Sequence, residues 1–486
     1  MGSMNTKPGW LAASMLAAAL GAAIASSAAA ATAGRGLPAG RGALAAVAAA
    51  TPPAAGACVD DEGADPKSAP ASATVPAAPS SAALPADVRA PRMNLLNMVR
   101  SAIRRSNAVG AARLLAEAAA IDIDEARAGG LPQVSATAQL GGIDTGTPGA
   151  AEARGGQFQG GLTAAAPIYD GGHVRDLTDW RAHLAEAARF GELTAQEQVA
   201  LQTVSLALER SRYTVESQVY EQYARKMGCL VSALQSIVGI DRGRMSELVQ
   251  ARKTQEQAEL SRSQSLSQKR LAEVRLRRFV GDDLPPTEGI SSVMLDTPDL
   301  ADLRTMASRS SEIATLGAQA EALDSYVKAV LDGQKPQLGW LVQATKAAGA
   351  GNSHSVSVGV TFSMPLYNPV NSYTTGAARK RAQAARMQRD DALEARKYRM
   401  GEVHEQAEHA MDRARHVVEI LHNSELVRNF TLQQWQQLGR RSLFDVMAAE
   451  GDHYNMRVQY VDALYDTQQS NAMLWSLGLG LATHLE

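Results

Sequence analysis

From Ser355 to Met364, apolar residues alternate with small polar ones without a break. Val356, Val358, Val360, Phe362 and Met364 take one parity, and Ser355, Ser357, Gly359, Thr361 and Ser363 take the other. A period of two predicts a β-strand with one apolar face and one uncharged polar face. Pro365 stops it, because proline has no N–H to give to a ladder. Asn368-Pro369 then supplies an N-cap and a first-turn proline for a helix. Gln337 to Thr345 alternates in the same way, with Leu338, Trp340, Val342 and Ala344 on one face. The arrangement has an earlier copy. Leu131-Pro-Gln-Val134 recurs as Lys335-Pro-Gln-Leu338, 204 residues on, and Ala166-Pro-Ile-Tyr-Asp170 recurs as Met364-Pro-Leu-Tyr-Asn368, 198 residues on. The difference is a longer hairpin loop in the first copy, so the chain is an internal duplication. Strands are expected at about 133–143 and 157–166, and again at about 337–346 and 355–364.

A longer period governs the rest. A helix is expected from Asn94 to about Gly130, where Gly129-Gly130 is a C-terminal stop. Its counterpart runs from Leu300 to Gly333. Between His173 and Ile237 there is no proline, and Val219, Tyr223, Met227, Leu230, Leu234 and Ile237 are spaced as in a coiled coil. Gly239-Ile-Asp-Arg-Gly243 breaks that run, and a second helix follows from Ser246 to about Gly281. In the second half, Val403, Ala407, Ala410, Ala414, Val417 and Leu421 keep the spacing. Leu438-Gly-Arg-Arg-Ser442 breaks it, and Met447, Glu450, Tyr454, Val458, Val461, Tyr465, Gln468 and Ala472 resume it. Residues 93–281 and 300–480 are therefore two structural repeats joined by a linker at 282–299. Each is helix, strand, strand and a long helical hairpin, with tips near 238–245 and 437–443. The fold class is mainly α with a small β part.

The N-terminus changes the setting. Lys7 precedes an alanine-diluted apolar core from Trp10 to Ile24, and small residues follow near Ala28 to Ala33, which predicts an export signal over 1–33. Residues 34–92 are rich in Ala, Pro, Gly and Ser and predict a disordered tail. Cys58 lies too far behind the apolar core for a convincing acylation site, and Cys229 falls in a helical apolar run, where a packed cysteine is the default. A net charge of −2 with 20% charged residues leaves no basic footprint for nucleic acid.

Strands of about ten residues with one apolar face can cross a bilayer as tilted barrel strands. In lipid every backbone group must be paired, so strands persist there only in a closed barrel. Barrels start at about eight strands, and four cannot close one, so copies of the chain must combine. About 65 residues of helix reach roughly 100 Å, enough to cross a wide aqueous compartment.

Residues 94–480 resemble the TolC family of outer-membrane channels. The resemblance rests on the duplication, on Leu-Pro-Gln-Val and Pro-Ile-Tyr-Asp-Gly-Gly, on Gly243-Arg-Met-Ser-Glu-Leu-Val-Gln-Ala-Arg252 and on Leu443-Phe-Asp-Val-Met-Ala-Ala-Glu450. The end, Tyr460-Val-Asp-Ala-Leu-Tyr465 with Leu474-Trp-Ser-Leu-Gly478, looks most like members serving type I secretion. The resemblance implies a homotrimer in outer-membrane lipid, a 12-stranded barrel and a helical tunnel across the periplasm. It also implies a periplasmic adaptor and an inner-membrane transporter as partners, ATP-driven for protein secretion or proton-driven for multidrug efflux. No chemistry and no cofactor is implied. A periplasmic coiled-coil scaffold or adaptor without a barrel is the remaining alternative.

The family's pattern also implies site residues. Its glycine, arginine and aspartate at the second hairpin tip match Gly439, Arg441 and Asp445, and its first-hairpin acid falls at Glu247. Its second aspartate is Ala448 here, and Gly243 precedes Glu247 by fewer residues than in the family. Arg441 paired with Glu247 would hold the hairpins inward, while a ring of Asp445 would line the constriction. Ser442-x-x-Asp445 also reads as a plain helix cap. Gly243, Arg244, Gly439 and Arg440 would meet the adaptor. Phe158, Trp340, Phe362, Tyr169 and Tyr367 would sit at the membrane interfaces, with Val358 and Val360 against lipid.

Other candidates for chemistry are poor. His404 and His409 are five apart on a helix and do not share a face. His409, Asp412 and His416 do share one, but a solvated surface is the ordinary reading. No phosphate-cradling loop or Ser/His/Asp set is visible, so the reading is of a protein that is not an enzyme.

Overall fold

Two very long helices set the dimensions of the protein. In the computed structural model, which describes residues 86–145, 153–438, 441–478 and 480–485, helix α3 spans His173–Val238 and helix α7 spans Pro369–Leu438. All the described residues belong to one compact unit. At 66 and 70 residues, the two helices are about 100 Å long. Their starts are fixed locally. The Asp170 carboxylate accepts from the N–H groups of Gly172 (3.0 Å) and Val174 (2.7 Å), and Asn368 Oδ1 accepts from Val370 N–H at 3.1 Å. These two caps occupy the same position in the two repeats.

Each long helix runs past two shorter ones. Helices α2 (Asn107–Ala128) and α4 (Met245–Val280) lie beside α3, one above the other. Helices α6 (Ser311–Asp332) and α8 (Leu443–Leu477) fill the space between α3 and α7 in the same way. The layer is thus ordered α2, α3, α6, α7 near the sheet and α4, α3, α8, α7 towards the tips. The positions with coiled-coil spacing form its seams. Val219, Met227, Leu230 and Leu234 are buried on α3, as are Val403, Ala407, Ala410 and Val417 on α7.

Strands β1 (Gln133–Thr145), β2 (Ala153–Tyr169), β3 (Gln337–Gly349) and β4 (Ser353–Ser363) form one antiparallel sheet in sequence order. β1, β2 and β3 run beyond the expected spans. Pairing continues through glycine and polar residues up to the hairpins, since Gly156 still pairs with Gly142 and Gln157 with Gly349.

Several expectations need correction. Helix α1 (Ala86–Arg105) begins inside the segment read as a disordered tail. Leu95, Leu96, Met98 and Val99 are buried against α3, α4 and the C-terminus, and the Arg92 guanidinium donates to the carbonyls of His484 and Leu485. That packing orders a stretch whose composition alone would not. The export signal and residues 34–85 lie outside the described residues. The helix expected from Asn94 to Gly130 is broken at Ser106, whose hydroxyl caps α2 by accepting from Val109 N–H. The break recurs 204 residues later at Ser310, between the short α5 (Leu300–Met306) with its trailing 3₁₀ turn and α6. The 282–299 linker is strapped down, with Ile290 and Val293 buried. The Gln468 amide donates to the carbonyls of Ile290, Ser291 and Val293, and Asn471 donates to that of Met294. The second repeat also extends past 480 into a short helix α9 (Leu481–Leu485), whose Leu481 and Leu485 enter the core.

Candidate functional site

Pairing register decides what the sheet presents on each side. Residues directly opposite in an antiparallel sheet share a face. Val134, Ala164, Val342 and Val358 form one row, Ala136, Leu162, Ala344 and Val356 the next, and Trp340 pairs with Val360 and Leu338 with Phe362. Phe158 and Leu140 continue this apolar face towards the hairpins. The other face carries Ser135, Thr163, Gln343 and Ser357 in one row and Thr137, Gly161, Thr345 and Ser355 in the next. Thr345 and Ser355 share a hydroxyl–hydroxyl hydrogen bond of 2.7 Å there. A register irregularity at Ile168 sets Tyr169 beside Leu338, on the apolar face at the end near the helices. Trp340, Phe362 and Tyr169 therefore mark one end of the apolar band and Phe158 the other. Tyr367 follows β4 and is almost fully exposed.

Both margins of the assembly are open. β1 and β4 each pair on one side only. The helical layer ends in the same sense, with α2 and α4 on the β1 side and α7 on the β4 side. These margins carry exposed apolar residues: Leu114 and Ile121 on α2, Leu260 and Val274 on α4, Tyr398 and Phe430 on α7.

The tips lie at the far ends of α3 and α7. The first, between α3 and α4, exposes Ile240 at 92% of its surface, and Asp241 closes the turn by accepting from Gly243 N–H at 3.0 Å. Arg244 lies 4.0 Å from both Asp241 and Glu247. Glu247 is mostly buried, and its Oε2 has no hydrogen-bond partner. At the second tip, Gly439 and Arg440 lie outside the described residues. Arg441 does not meet Glu247 within the chain. Its Nε donates to Gln434 Oε1 at 3.2 Å and its Nη1 lies 3.9 Å from Asp445. Asp445 completes a capping box with Ser442, accepting from Ser442 N–H at 3.3 Å. The cap is therefore formed, and within one chain Arg441 and Glu247 each lie beside a charged neighbour on their own hairpin.

Buried and half-buried charges join the hairpins. Glu450 of α8 is fully buried, with Lys226 of α3 and Arg428 of α7 each at 3.9 Å. Higher up, Arg212 of α3 contacts Glu216 (3.0 Å), Asp462 (2.7 Å) and Asp466 (3.1 Å), and Arg413 of α7 reaches Asp466 at 2.6 Å. Burial and a hydrogen bond to Asp462 push the Glu216 carboxyl up to about 7, against the pull of Arg212. Glu450 and Gln468 sit at core positions of the coiled-coil spacing, and polar residues there are the signal that marks them as buried.

His416 Nδ1 lies 2.8 Å from the backbone carbonyl of Asp412. Among the described residues, His183, Glu186 and Glu321 are the grouping able to approach a metal, and both carboxylates face solvent. No described helix is long and apolar enough to cross a membrane.

No family model matches the sequence, and no curated protein matches it either. Solved structures do match in fold. A membrane protein from Pseudomonas aeruginosa superposes with a TM-score of 0.71 at 16% identity, covering 83% of this chain and 99% of that one. CusC, whose structures concern transmembrane channel formation, gives 0.70 at 15%, covering 80% and 92%. The outer membrane protein VceC from Vibrio cholerae gives 0.68 at 15%, covering 80% and 97%. The chain thus has the fold of these proteins over its described length.

Proposed function

We propose that the protein is an outer-membrane channel that closes as a ring of three copies and conducts cargo from a periplasmic helical tunnel to the outside. The observation that carries this is the matching pair of open margins. β4 of one copy can pair antiparallel with β1 of the next, while α7 meets α2 and α4 of that same neighbour. Each contact repeats head to tail, and such contacts close into a ring. Three copies give twelve strands, whose apolar faces point outward to lipid and whose Ser, Thr, Gln and Gly faces line a wet lumen. The fold shared with CusC, the P. aeruginosa protein and VceC supports the reading.

The far tips are the entrance. In the ring, α7 of one copy lies beside α4 of the next, so Arg441 and Glu247 of neighbouring copies are brought to adjoining tips. We assign them the latch, Asp445 the constriction, and Gly243, Arg244, Gly439 and Arg440 the docking of a periplasmic adaptor. The cargo we infer is protein delivered by an ATP-driven type I secretion transporter, resting on the resemblance of residues 460–478. A proton-driven multidrug pump on the same tips is the alternative. Native mass in detergent should give three chains, and the protein should conduct in planar bilayers. Arg441→Ser should raise single-channel conductance. A stable water-soluble monomer refutes the channel, while unchanged conductance refutes the latch alone. Crosslinking from the tips in cells identifies the transporter class.

A further inference from the structure

The apolar face of the sheet is interrupted at one place. In the row Ala138, Gly160, Lys346 and His354, a lysine and a histidine stand directly opposite each other on β3 and β4. The other charges on this face, Asp144 and Arg154, neutralise each other at 2.9 Å. Lys346 has no carboxylate within ion-pairing distance among the described residues. Beside it Gly160 leaves a gap between Phe158 and Leu162, where an added Cβ would meet only a ring carbon of Phe158, at 3.8 Å. The result is a groove of about 650 Å³, with Phe158, Leu162 and Val356 as walls, Gly160 as floor, and Lys346 and His354 beside Gly160 in the same row. Lys346 lies eight residues along β3 from Leu338, about 20 Å up the membrane normal for a strand tilted near 40°. That height, next to the hairpins and far from the helices, is about 5 Å below the outer edge of an apolar band about 25 Å tall.

Resting on the channel reading, we propose that this groove is a binding site for a phosphorylated outer-leaflet lipid. An acyl chain lies over Gly160 between Phe158 and Leu162, and the phosphate meets Lys346 and His354. The apolar walls would take any hydrocarbon, so the selectivity comes from the cation. An ammonium on a flexible stem can rise to the headgroup level, where a phosphate gives it charge-assisted hydrogen bonds. A choline headgroup would set a second cation against it.

The test uses the full-length protein purified from membranes as its assembled oligomer and stripped of lipid with detergent. It is incubated with lipid A, with dephosphorylated lipid A or with phosphatidylcholine, and retained lipid is counted by native mass spectrometry. The wild type should retain phosphorylated lipid A in preference to both others. Lys346→Gln should lower that retention by about tenfold, the loss of one charge-assisted contact. Gly160→Leu should lower it comparably by filling the groove while keeping the face apolar. Gln343→Ala, on the opposite face, should leave it unchanged. Equal retention by wild type and Lys346→Gln, or no preference for phosphate, overturns the site. Failure of the wild type to form a conducting membrane oligomer would instead overturn the channel reading, so the two failures are distinguishable.

Discussion

Val358→Arg tests the facing of the sheet most directly. Val358 lies midway between Phe362 and His354 on β4, in the row with Val134, Ala164 and Val342, and is 77% exposed in the single chain. Four residues of tilted strand place it about 10 Å above the Phe362 level, near the middle of an apolar band about 25 Å tall. An arginine facing lipid there costs about 2–4 kcal/mol per copy. Three copies lose about 6–12 kcal/mol, which is comparable to the whole stability of a typical folded domain. Ser357→Arg places the same charge one residue away on the polar face, where a wet lumen solvates it at little cost. The assay is the amount of membrane-inserted trimer that resists carbonate extraction and migrates as an oligomer in mild detergent. Val358→Arg should nearly abolish it, and Ser357→Arg should leave most of it. Equal loss for both would refute the assignment of faces, and equal tolerance would refute contact with lipid.

Two further outcomes follow from buried charge. Glu450→Ala leaves Lys226 and Arg428 together in the core without their carboxylate, so denaturant unfolding should show a loss of about 3–5 kcal/mol. Loss below 1 kcal/mol would mean that the site is hydrated. Burial raises the Glu216 carboxyl from the ordinary 4.5 to about 7, so the folded state holds that proton more tightly than the unfolded chain. Its contribution is fully present below pH 4.5 and is lost as pH rises to about 7. Glu216→Gln should flatten the fall in melting temperature across that window, and an unchanged slope would assign it to other groups.

Much of this protein was legible in its sequence because the governing periods are local. Alternation fixed β4 and its two faces, since successive Cβ atoms in a strand point to opposite sides. The proline-free run before Gly239 fixed α3 almost to the residue. The recurrence at offsets of 204 and 198 residues implied that what forms once forms twice, and the caps at Asp170 and Asn368 and the breaks at Ser106 and Ser310 obey it. The coiled-coil spacing named the seam residues, Glu450 and Gln468 among them.

The tertiary structure decided what no period encodes. Helix α1 is ordered because Leu95, Leu96 and Val99 find a core assembled from segments hundreds of residues away. The 282–299 linker is held by Gln468 and Asn471, polar groups whose partners are backbone carbonyls that only the folded chain brings near. At the tips, the family resemblance implied Arg441 with Glu247, yet long side chains meet the partners that the local backbone sets beside them. Within one chain those are Asp445 and Gln434 for Arg441, and Arg244 for Glu247. The order of strands and helices across the layer was likewise beyond the sequence pattern. Periodicity states which face of an element is buried, but only packing states which neighbour buries it, and here packing leaves both margins open for another copy.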